Sequence, residues 1–161
     1  MREKEGYDTA QICLNGHTIN DYATQFPEDN KPHCTECGER TTAACERCHH
    51  DIRGRYWPSM SLAAYIQPHF CQQCGEPYPW TERRLKAARD LSDVAEGLTQ
   101  EERDTLKRSL DDIVRDTPQT IVAAARFKKL LARAGKGAAE GFRTILIDFV
   151  SETAKKAIWG P

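Results

Sequence analysis

The chain has no apolar run of about 18 residues, the length a helix needs to cross a bilayer. Its opening, MREKEGYDTAQ, is polar and has no apolar stretch of the signal-peptide kind, so a cytoplasmic location is expected. Charge of one sign is not in excess either. The 23 Lys+Arg and 24 Asp+Glu give a formal net charge of -1, which excludes a uniformly basic nucleic-acid binder. Catalytic signatures are missing too: no His-Glu-x-x-His, no phosphate-cradling glycine loop, no Ser/His/Asp set. Asp51 and Glu76 read as surface carboxylates, and a non-enzymatic role is expected. An eighth cysteine is lacking. Seven cannot all pair as disulfides, and a cytosolic redox poise disfavours such bonds in any case.

The cysteines that are present lie together, all before residue 75. Residues 1–80 hold all five tyrosines and two of the three tryptophans, with 7 basic against 11 acidic residues. Residues 81–161 hold 16 basic against 13 acidic residues and are rich in good helix formers. The spacing predicts two domains: a metal-stabilised zinc-ribbon half of short β-strands, 1–80, and an all-α helical half, 81–161. About four helices are expected, at 82–96, 100–115, 118–134 and 138–159. Thr99 with Glu102 reads as a capping box for the second. Thr117-Pro118 reads as the start of the third, and Gly135-Lys136-Gly137 as the break after it. The last carries Phe142, Ile145, Leu146, Phe149, Val150 and Ile158 as one stripe, which suggests a homo-oligomer formed through that helix.

Three segments read Cys-x-x-Cys: Cys34/Cys37, Cys45/Cys48 and Cys71/Cys74. Such a turn sets two thiolates on one side of a metal ion, and Gly38 and Gly75 follow two of the pairs, where the tight turn favours a residue without Cβ. The stretch CLNGH supplies a fourth pair, Cys13 and His17, with Gly16 easing the longer turn. Eight ligands fill two tetrahedral zinc sites. Sixteen residues separate His17 from Cys34, seven separate Cys37 from Cys45, and twenty-two separate Cys48 from Cys71. The short middle gap favours sequential pairing: Cys13, His17, Cys34 and Cys37 at one ion, Cys45, Cys48, Cys71 and Cys74 at the other. Nested and crossed pairings use the same eight residues. Complete ligand sets leave no open position for catalysis, so the ions are expected to hold the fold. Four-thiolate sites accept iron as well as zinc.

Between Cys48 and Cys71 lies a dense apolar set: Ile52, Tyr56, Trp57, Met60, Leu62, Tyr65, Ile66 and Phe70, with Tyr78 and Trp80 following Cys74. It reads as a small core and seat for the helices, or else as a recognition patch in which Arg53 and Arg55 touch phosphates while Tyr56 and Trp57 stack. Residues 117–139 carry Arg126, Lys128, Lys129, Arg133 and Lys136 with no acid, interleaved with Ile121, Val122, Phe127, Leu130 and Leu131. This reads as a core-facing helix with a solvated basic side, or as a surface for nucleic acid, membrane or an acidic partner.

The strings ICLNGH, CTECGE, CERCHHDIRGRY and FCQQCGEPYPWT together resemble a family of uncharacterised bacterial proteins with an N-terminal double zinc ribbon. The resemblance covers about residues 10–82. It implies a bacterial, cytoplasmic zinc-binding protein with the eight ligands above, and it carries no activity. The function expected is a zinc-binding adaptor that presents loops to a protein partner, its helical half docking or self-associating. A nucleic-acid-binding regulator using the ribbons and the 126–136 segment is the alternative.

Overall fold

The computed structural model describes residues 5–59 and 61–161; Met60, assigned above to the apolar set, lies outside the described residues, as do residues 1–4 of the polar opening. The chain divides into two compact units between Glu82 and Arg83.

The first unit is built from short strands that carry Thr, Ile, Tyr or Trp, residue types that suit a half-buried pleated surface. They are β1 (Gly6–Thr9), β2 (Gln11–Cys13), β3 (Thr18–Asn20), β4 (Thr41–Thr42) and β5 (Arg53–Trp57). One sheet has the order β3-β2-β4, antiparallel throughout, with Ile12 facing Thr18 on one side and Thr42 on the other. The second sheet pairs β1 with β5, Tyr7 opposite Tyr56. Gly54 is needed in β5 because a Cβ there would lie 2.5 Å from the Asp21 carbonyl oxygen. That closeness lets the Arg55 N–H donate to the same oxygen at 2.9 Å.

The core of this unit is small: Ala10, Ile12, Leu14, Ala23, Ile52, Tyr78 and Trp80. The last two are its largest buried side chains, on the order of 150–250 Å² each. Their rings stack with centroids 4.6 Å apart, and the Trp80 indole donates to the Pro68 carbonyl at 3.0 Å. Gly16 must be glycine for two reasons, a φ of 94° and a missing Cβ that would meet Trp80 Cβ at 3.0 Å. The loop that carries Cys13 and His17 is thereby pressed onto the main aromatic of the unit.

The helical unit takes α1 (Pro79–Val94), which crosses the division, then α2 (Gln100–Ile113), α3 (Thr120–Ala134), α4 (Lys136–Leu146) and α5 (Glu152–Trp159). The expected capping box at α2 is present: Thr99 Oγ1 accepts from Glu102 N at 3.2 Å, and the Glu102 carboxylate accepts from Thr99 N at 2.9 Å. Leu106, Leu110, Ile113, Phe127, Phe142 and Leu146 are fully buried, with Phe127 edge-on to Phe142 at 5.6 Å.

Three details differ from the sequence reading. Among the described residues there are five helices, because the stretch expected as one helix at 138–159 is two. Ser151 is the reason: its side chain caps α5 by accepting from Ala154 N at 3.2 Å, while its own N–H leaves the helical pattern and donates to the Ile113 carbonyl. Phe149 and Val150 stay buried through the turn, so the apolar spacing runs on across a broken backbone. Second, α3 begins at Thr120, later than expected. Thr117 closes a turn, its Oγ1 accepting from Gln119 N at 3.2 Å, and α3 has no side-chain cap. Third, the break before α4 falls at Gly135 alone, with φ 89°; Gly137 is helical. No helix among the described residues is long and apolar enough to cross a membrane.

Candidate metal centres

Each Cys-x-x-Cys turn is built by the same backbone hydrogen bonds. The N–H after the second cysteine returns to the carbonyl of the first: Gly38 to Cys34 at 2.9 Å, His49 to Cys45 at 2.8 Å, Gly75 to Cys71 at 2.8 Å. Each first cysteine's N–H donates forward by five residues, to Glu39, His50 and Glu76, all at 2.8 Å. Single bridges clamp each turn at the same register, His33 to Arg40, Ala44 to Asp51 and Phe70 to Pro77. The closing residue is left-handed in all three, with φ 73° at Gly38, 62° at His49 and 76° at Gly75. Two have the glycine the turn favours, and the middle one tolerates a histidine. The CLNGH loop is a tighter variant: Gly16 N donates to Cys13 O at 2.8 Å, and Cys13 N to His17 O at 2.9 Å.

These loops gather eight donor atoms into two groups, Cys13, His17, Cys34 and Cys37 in one and Cys45, Cys48, Cys71 and Cys74 in the other, all atoms within 4.8 Å of one another in each. The pairing is the sequential one. In the first group, Cys13 and Cys37 sulfurs are 3.8 Å apart, and His17 Nδ1 lies 3.4 Å from Cys13 Sγ and 3.5 Å from Cys34 Sγ. In the second, Cys45 to Cys74 is 3.8 Å and Cys48 to Cys71 is 3.7 Å. A tetrahedral ion with bonds of about 2.3 Å to sulfur and about 2.0 Å to nitrogen sets its sulfurs about 3.8 Å apart and a sulfur–nitrogen pair about 3.5 Å apart. The donor geometry therefore fits a four-coordinate ion. It does not fit disulfides, whose sulfurs lie about 2.05 Å apart.

The surroundings prepare the sulfurs for a cation. Cys13 Sγ accepts from His17 N at 3.3 Å, Cys34 Sγ from Glu36 N at 3.4 Å, and Cys71 Sγ from Gln73 N at 3.4 Å. The Glu39 backbone N–H and the Asn15 side-chain amide hold the Cys37 thiol down to about 6. Burial pushes Cys13 up to about 11. An arriving ion displaces the thiol protons that remain. Both groups have the same burial order, with the first cysteine of each turn buried and Cys37 and Cys74 exposed.

A family model described as "Uncharacterized protein conserved in bacteria" (DUF2321) matches residues 6–158. The chain belongs to that family. No curated protein and no solved structure matches the chain. The family match spans both units, beyond the ribbon motifs that carried the resemblance in the sequence.

In this family member the residues considered for binding are placed differently from one another. Arg55 is partly buried and ion-paired with Asp21, so its charge is already engaged. Arg53 stacks over the Tyr7 ring, its Cζ 3.6 Å from the centroid. Tyr56 is 44% exposed and edge-on to Tyr7. Trp57 is half-buried against Tyr22 and Phe26. Among the described residues, Arg126, Lys128 and Lys129 on α3 and Lys136 at the start of α4 are exposed with no ion pair, while Arg133 pairs with Glu102. The stripe expected to support self-association is spent internally, with Phe142, Leu146, Phe149, Val150 and Ile158 buried in the helical unit and Ile145 half-buried. Asp51 and Glu76 are exposed. Sequence reasoning missed the supporting groups: Asn15, whose amide donates to Cys37 Sγ at 3.4 Å, and Glu36, whose carboxylate is 3.7 Å from His17 Nε2. Their position inside the CLNGH and CTEC loops was the available signal.

Proposed function

We propose that this chain is a non-enzymatic adaptor whose ribbon unit is held together by two zinc ions and presents a surface to a protein partner. One observation carries the metal part: two closed sets of four sulfur and nitrogen donors at tetrahedral spacing. A closed set offers no position for substrate or water, which supports a structural ion over a catalytic one. Thiolate with imidazole favours zinc among common ions. Binding of this kind contributes about 10–16 kcal/mol in small zinc peptides, enough to replace the larger core this unit lacks. The partner reading rests on exposed apolar groups, Tyr7 at 58%, Tyr56 at 44%, Leu62 at 103% and Ile66 at 80%, all in the ribbon unit. Tyrosine and nearby arginine are the residue types that anchor interfaces.

Elemental analysis of the purified chain is the direct test. Two zinc equivalents per chain are expected; one or none sinks the metal reading, and two of iron would change the ion. Turnover in a hydrolase or transferase screen that is lost in Asp51→Asn or Glu76→Gln would overturn the non-enzymatic part.

A further inference from the structure

The helical unit carries one face that its own fold leaves unused. Helix α3 buries Phe127, Leu130, Leu131 and Ala134 on one side. The opposite side shows Ile121, Val122, Ala125, Arg126, Lys128, Lys129 and Ala132 to solvent. Of its cations, Arg126, Lys128 and Lys129 have no ion-pair partner among the described residues, and neither does Lys136, the first residue of α4. No acid lies in α3 to offset them. Beside this face a 240 Å³ cleft opens between α2 and α3, lined by Thr105, Arg108, Ser109, Gln119, Arg126 and one acid, Asp112. Arg108 donates to Thr105 Oγ1 at 3.0 Å.

We propose that the outer face of α3, with the adjoining α2–α3 cleft, docks the phosphate backbone of a nucleic acid. Charge complementarity selects the occupant. The Thr105 and Ser109 hydroxyls are spent on the Glu101 and Thr105 carbonyls, so the Arg108 and Arg126 guanidinium groups in the cleft lining are what suit a phosphate, which arginine can grip with two bonds. Lys128 and Lys129 continue the positive potential along the helix, where further phosphates of one strand would lie. A bilayer fits less well, because a membrane-seated helix inserts a broad apolar side, and outside the core α3 exposes only Ile121 and Val122 as large apolar residues. Small Ala125 and Ala132 on the outer face let a rod-shaped partner approach closely. The inference does not depend on the metal reading, since every residue in it belongs to the helical unit.

The test is fluorescence anisotropy with the full metal-loaded chain and a labelled 20-base-pair mixed-sequence DNA duplex, alongside its single strand. With three or four phosphates neutralised, raising salt from 50 to 200 mM should weaken duplex binding about 40- to 150-fold. Lys128→Glu/Lys129→Glu should weaken binding at least about tenfold at 50 mM salt and flatten the salt dependence. Lys86→Glu/Lys155→Glu, the same charge change on other helices, should leave both nearly unchanged. Should the reversal pair fail to fold by circular dichroism, Lys128→Ala/Lys129→Ala replaces it, with a loss of several-fold expected. No binding of either strand form at 50 mM, an affinity insensitive to salt, or an equal loss in the control pair overturns the proposal. So does binding of polyglutamate or of phosphatidylserine vesicles without binding of the oligonucleotides. Metal content measured on the same samples separates this outcome from failure of the zinc reading.

Discussion

Three turns with one backbone design give a clean way to weigh a single dihedral angle in metal affinity. Gly38 and Gly75 close two of them at φ 73° and 76°, and a Cβ added at either would find no atom within 4 Å. Replacement by alanine therefore adds no clash and tests only the left-handed backbone. That conformation costs an L-residue about 1–2 kcal/mol, and alanine returns about 0.4–1 kcal/mol by restricting the unfolded chain. The net loss is about 1 kcal/mol. Because the ion organises the unit it binds, this loss is read as metal affinity, about fivefold at 1.4 kcal/mol per factor of ten. Gly38→Ala should weaken the Cys13/His17 group alone and Gly75→Ala the four-cysteine group alone. His49→Gly, at φ 62°, relieves strain already present in the middle turn and should not weaken its site. A competition titration against a chromophoric chelator reads both affinities in each variant. If both alanine variants keep affinities within twofold of the parent, the backbone reasoning is wrong.

Cys13→Ser and His17→Ala should each lower metal content from two equivalents to one, and Cys45→Ser should do the same through the other group; elemental analysis checks all three. Trp80→Ala removes a fully buried, stacked ring and should cost the ribbon unit about 3–5 kcal/mol, measured as a lower urea midpoint for loss of near-ultraviolet signal. Thr99→Ala deletes half the capping box of α2 and should cost about 1 kcal/mol. On a unit of this size that is a fall of about 4–8 °C in the melting midpoint of the helical signal.

The ligands were legible because metal chemistry writes itself in local spacing. A Cys-x-x-Cys turn satisfies its own hydrogen bonds within six residues, so the string CTECGE already contains the knuckle seen at Cys34. The capping box at Thr99 was legible for the same reason. The turn at 147–150 was not. Phe149 and Val150 keep helical spacing while the chain leaves the helix, and Ser151 is held by Ile113, far away in sequence. Arg55 also read as a free cation until the fold brought Asp21 to it. Basic residues on α3 were visible as a list, but their sorting into an outer face needed the position of the core.

By itself, the sequence determined which atoms can hold metal, where the ribbon half gives way to helices, and how α2 begins, because each depends on residues within a turn of one another. Which turns come together as one donor group, which cations are already neutralised, and where the last helical stretch breaks were decided only in three dimensions. Those outcomes depend on contacts between residues dozens of positions apart, such as Cys13 with Cys37 and Cys45 with Cys74, which no local pattern specifies.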